Sequence, residues 1–205
     1  MDAATAHDYL WFEEEFPSLA EAYCLTLVRG LTPQEALEAF GAQPRDRGRG
    51  VRTVEEFAYE AWNTHDGQQG YVAAAALGDW TVAVEPNGYL ATLDSVLDRL
   101  SAGRTLVSLY RNVNAVTAFR WYEDDEVRLD FDPLFAYDRD GSEAEAVADD
   151  MRAVGFELRE DADPVYDLVG GATFALAERI TGVRVTGEFL ETAGFVGGLA
   201  PVPAR

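Results

Sequence analysis

The hydrophobic period changes twice along this chain, and that change bounds the folds open to it. In the middle of the chain, before and after a short helical stretch at Leu93–Leu100, apolar side chains fall on alternate positions. Trp80, Val82 and Val84 alternate with Thr81, Ala83 and Glu85, and Val127, Leu129 and Phe131 alternate with Arg128, Asp130 and Asp132. A period of two marks strands with unlike faces. On either side the spacing becomes three or four. Val54, Phe57, Ala58, Ala61 and Trp62 form one apolar helical stripe, and Leu168, Ala172, Leu176 and Ile180 form another. Helices, then an antiparallel meander of about five strands, then helices again make an α+β fold.

Cap and turn residues set the expected boundaries. Ser18–Glu21, Thr32–Glu35, Thr53–Glu56 and Ser142–Glu145 each fit a capping box, in which hydroxyl and carboxylate satisfy amides left open at a helix start. Pro33 suits a first helical position, and Gly30, Gly41 and Gly155 suit left-handed stops. The pattern predicts helices near 6–15, 18–29, 33–40, 54–64, 143–154, 168–181 and 187–193, with a short one over Leu93–Leu100. It predicts a hairpin of Tyr71–Leu77 with the Trp80 strand across Gly78 and Asp79, a strand over Thr105–Arg111, and a second hairpin of Val116–Tyr122 with Glu126–Phe131. We expect one domain over residues 1–198, helical in 5–65 and 142–193 with its sheet in 70–132. The chain from Phe195 reads as a frayed end, with 199–205 as a flexible tail.

Composition removes several chemistries. The chain has 205 residues and no lysine; its 16 basic residues, all arginine, face 37 acidic ones for a net charge of −21. A phosphate-cradling or Schiff-base lysine is therefore excluded. One cysteine and two histidines leave few nucleophiles, bases or metal ligands. A lone cysteine forms no intrachain disulfide, and the first residues carry no export signal, so a cytoplasmic location is expected. No apolar run reaches the ~18 residues of a membrane span. The strong acidity opposes nucleic acid and favours a basic partner.

Four segments together carry a family resemblance: Cys24–Pro33 (CLTLVRGLTP), Gly78–Gly88 (GDWTVAVEPNG), Ser108–Val116 (SLYRNVNAV) and Glu178–Val183 (ERITGV). Their order resembles an uncharacterised family of actinobacterial proteins, a domain of unknown function, over most of residues 8–193. The resemblance implies one domain and a bacterial cytoplasmic origin. It assigns no site residue.

Several residues are candidates for chemistry. Glu85 ends an apolar strand just before Pro86, Asn87 and Gly88, where loops hold functional groups, and His65 follows the Trp62 helix as a potential base. Asp138, Asp140 and Gly141 match three positions of a calcium loop, but Ala136 and Val147 stand where its strongest ligands belong, so a turn is the simpler reading. Cys24 is expected inside an apolar helix, as an inert core thiol. The helix pair around Gly30 has the outline of a helix-turn-helix, but its second member carries Glu35 and Glu38 and no base. Arg45, Arg47, Arg49 and Arg52, interleaved with Gly48 and Gly50, form a cationic loop suited to a carboxylate or phosphate.

The functional expectation is a non-catalytic, acidic interaction protein of immunity, antitoxin or regulatory type, binding a basic partner protein and requiring no cofactor. One rival is a hydrolase using carboxylates and His65, with metal assistance from Asp138 and Asp140. Another is an anion-binding protein that uses the arginine loop.

Overall fold

A computed structural model describes residues 3–65 and 67–202. Among them the α+β class holds, with one antiparallel sheet of nine strands in place of about five. In chain order the elements are α1 (Trp11–Glu15), α2 (Pro17–Glu21), β1 (Tyr23–Arg29), α3 (Pro33–Phe40), β2 (Asp46–Arg49), α4 (Val51–His65), β3 (Gln69–Leu77), β4 (Trp80–Pro86) and α5 (Asp94–Ser101). There follow β5 (Thr105–Arg111), β6 (Thr117–Glu123), β7 (Glu126–Phe131), β8 (Arg139–Asp140), α6 (Ala148–Val154), α7 (Tyr166–Thr181), α8 (Gly187–Thr192) and β9 (Gly194–Pro201). The sheet order is β2-β9-β3-β4-β1-β5-β6-β7-β8.

Two corrections account for two of the four added strands, β1 and β9; the short edge strands β2 and β8 are the others. The segment expected as a helix over 18–29 is the short α2 followed by β1, which lies near the middle of the sheet and pairs with β4 and β5. Tyr23, Leu25 and Leu27 enter one core cluster while Cys24, Thr26 and Val28 face the other side. A strand buried on both faces shows no polar alternation, so its period is hidden. Cys24 accordingly sits in a strand, and the helix-turn-helix outline has no first helix. The expected frayed end is β9, paired with β2 on one side and β3 on the other. Its glycines are places of close approach: a Cβ at Gly197 would overlap the Tyr71 hydroxyl. Residues 203–205 of the expected tail, and residues 1 and 2, lie outside the described residues.

Of the four capping boxes, Thr32 performs as expected. Its hydroxyl accepts from the Glu35 amide at 3.3 Å while Glu35 accepts from the Thr32 amide at 2.8 Å, and Gly41 closes α3 in the left-handed region. Ser18 lies within α2, which starts at Pro17, and Thr53 lies within α4, its hydroxyl donating to the Arg49 carbonyl. Ser142 precedes a run of turns, and α6 begins only at Ala148.

Helices cover both faces. The larger core holds side chains of α1, α2, α4, α6, α7 and α8; the smaller holds Ala36, Leu37 and Phe40 of α3 with Val96, Leu97 and Leu100 of α5. The deeply buried α7 seats Phe174 against Phe12 (4.6 Å between ring centroids) and Tyr9 (5.4 Å). The two sheet edges, β2 and β8, are short and carry Arg and Asp, which discourages edge-to-edge pairing.

Candidate functional site

One end of the sheet gathers the start of β1, the end of β4, the start of β3 and the end of β5, because Tyr23 pairs with both Pro86 and Arg111. Above this end runs the second half of α4. Tyr59 and Trp62, three residues apart on one helical face, stand out from the stripe that α4 buries through Val51, Val54 and Ala61. Opposite them, the turn Pro86–Gly88 leads into a 3-10 turn at Leu90–Thr92, with Tyr89 at its cap. Between these walls lies a cleft of about 390 Å³, floored by Gly70 and Tyr71 and bordered by Val113. A smaller hollow of about 200 Å³ shares Trp62, Asn87, Gly88 and Tyr89 with it and adds Tyr110, Arg111 and Asn112. Aromatic and amide side chains line both regions, among small and aliphatic residues in the larger one. The large cleft also takes in the carboxylates of Glu21 and Glu55.

Glu85 lies behind this wall. It is buried on the face of the sheet that carries Ala83, and its carboxylate accepts from the Leu90 amide at 2.7 Å and the Ala91 amide at 3.0 Å. It thus fastens the 3-10 turn that presents Tyr89 and Leu90 to the cleft. Burial without a cation pushes its carboxyl up to about 7, and the two amides offset part of that rise. Gly88 allows the close packing, since a Cβ there would stand 2.9 Å from Glu85 Oε2. Cys24 lies across the strand pair from Glu85, and its thiol, raised by burial and by that carboxylate, contacts Ser108 Oγ at 3.4 Å. Ser108 in turn donates to the Ala91 carbonyl at 3.1 Å, a second tie on the same turn.

His65 ends α4, which packs on the opposite face of the sheet from Glu85, so the two are not brought together. The arginine segment is also ordered differently from expectation: it is the edge strand β2 and the first turn of α4, not a loop. Arg45 lies 3.7 Å from Asp46, and Arg52 donates to the Glu15 carbonyl at 2.9 Å while lying over the Phe16 ring. Arg47 and Arg49 remain exposed beside Gly194 and Phe195. Asp138 and Asp140 are exposed; Asp140 is in β8, opposite Asp130. Among the described residues no group of three His, Cys, Asp or Glu side chains is placed to hold a metal ion. No described helix is long and apolar enough to cross a membrane.

Sequence spacing places Trp62 in the core stripe and singles out none of the cleft residues Tyr59, Tyr89 and Val113. The available signal was the pairing of Tyr59 with Trp62 beyond that stripe, together with Tyr89 directly after Asn87 and Gly88. No curated protein and no solved structure matches the chain. The family model for DUF6461, a family of unknown function, matches residues 2–204, and the chain belongs to that family.

Proposed function

We propose that the chain is a non-catalytic recognition protein, of immunity, antitoxin or regulatory type, that engages a basic partner protein through the strand-end cleft. One observation carries this reading. Tyr59, Trp62 and Val113 keep 71%, 57% and 61% of their surface exposed around a cleft, on a chain of net charge −21. Large aromatic surface left in water beside a concavity is the usual mark of a contact site, and such residues dominate binding energy when covered. The acidic body supplies long-range attraction, which speeds encounter and weakens with salt. The rival readings draw less support. Glu85 and His65 are separated by the sheet, and Arg45 and Arg52 are engaged with their own chain.

Affinity capture from the native lysate tests the proposal, with wild type beside a Tyr59→Ser/Trp62→Ser variant. We expect wild type to retain a protein of basic isoelectric point at low salt, to release it at high salt, and the variant to retain little. Equal retention by both proteins would place recognition elsewhere.

A further inference from the structure

We infer that the cleft receives a single arginine side chain of the partner, stacked on the aromatic faces and countered by the carboxylates of Glu55 and Glu21; this inference rests on the recognition reading above. The chemistry of the lining argues for a guanidinium. Trp62, Tyr59 and Tyr89 offer π-faces, which attract cations, and a planar guanidinium stacks on them better than an ammonium does. Asn87 and Gln69 add amide oxygens that accept its remaining N–H groups.

Charge complementarity points the same way. Glu55 is partly buried beside Ser18 in the cleft lining, and burial raises its carboxyl. Arg52 lies near enough to offset part of that rise, yet its guanidinium is committed to the Glu15 carbonyl and the Phe16 ring, 5.3 Å from centroid. Among the described residues neither Glu55 nor Glu21 forms an ion pair, whereas Arg111, which lines the smaller hollow, lies 3.4 Å from Glu13. An entering arginine therefore meets two carboxylates that pair with no described side chain, and the like charge of Arg111 disfavours the smaller hollow.

Two short peptides test this, acetyl-Gly-Arg-Gly-amide and the same peptide with neutral, nearly isosteric citrulline. Each is titrated at low salt into labelled full-length protein and followed by the Trp62 indole N–H and Tyr89 backbone resonances. The arginine peptide should shift both signals saturably, and the citrulline peptide should bind roughly tenfold more weakly. Glu55→Gln should weaken the arginine peptide by about fivefold. Because Glu55 is partly packed, Glu21→Gln on the exposed rim serves as a second variant, with a smaller loss expected. Equal affinity for the two peptides would overturn the inference, as would shifts confined to residues outside the cleft. If partner capture still depends on Tyr59 and Trp62 while arginine and citrulline bind alike, the cation inference falls and the recognition reading stands. If capture is also indifferent to those residues, both fall.

Discussion

Glu85 is a carboxylate whose two oxygens are held by backbone amides and whose surroundings contain no base. Its folded-state value of about 7 lies above the ordinary 4.5, so the fold favours the neutral form. The stability this group contributes is therefore complete below about pH 4.5 and is lost as pH rises to about 7. Glu55, also raised by burial, acts in the same direction. Replacing Glu85 by Gln keeps a neutral acceptor without a charge to bury. Urea midpoints measured across this range should show Glu85→Gln gaining on wild type as pH rises, with the difference levelling off above neutrality. A difference that does not vary with pH would refute the assignment. The sequence marked Glu85 as the odd residue at the end of an apolar strand. It could not show that the partner amides belong to Leu90 and Ala91, because a 3-10 turn of three residues leaves no periodic trace.

At the scale of elements, legibility followed the contrast between faces. The hairpin of β3 and β4 was readable from its tight Gly78 and Asp79 turn, and β6 with β7 from polar residues facing outward. The strands β1 and β9 were not, since one is apolar on both faces and the other is rich in glycine. Their environments lead to measurable consequences. Amides of Val196 and Gly197, where β9 is paired on two sides, should exchange with solvent as slowly as those of β1. Exchange within seconds would return the segment to a frayed end. Gly197→Val should destabilise by roughly 1–3 kcal/mol, since the added side chain meets the Tyr71 ring and hydroxyl. Thr32→Ala, which removes the one capping box that matched its helix start, should lower unfolding free energy by about 1 kcal/mol.

For the whole molecule, charge was legible from composition alone, while the cleft proposed as the contact site was not. The cleft is assembled from α2, α4, the start of β3, the turn after β4 and the loop after β5, so its residues are dispersed from Ser18 to Val202. No local pattern could gather them. Trp62 fitted the helical stripe of α4 by spacing, yet the sheet ends beneath it and leaves the ring at the rim. The acidic body and this aromatic rim combine into one account: attraction at a distance, then contact at a single end of the sheet. Site-specific photocrosslinking tests that account most directly, with benzoylphenylalanine placed either at Tyr59 or at the exposed Phe135, away from the cleft. Irradiation with the partner bound should give a covalent product from position 59 and none from position 135. Product from position 135 alone, or equal product from both, would contradict it.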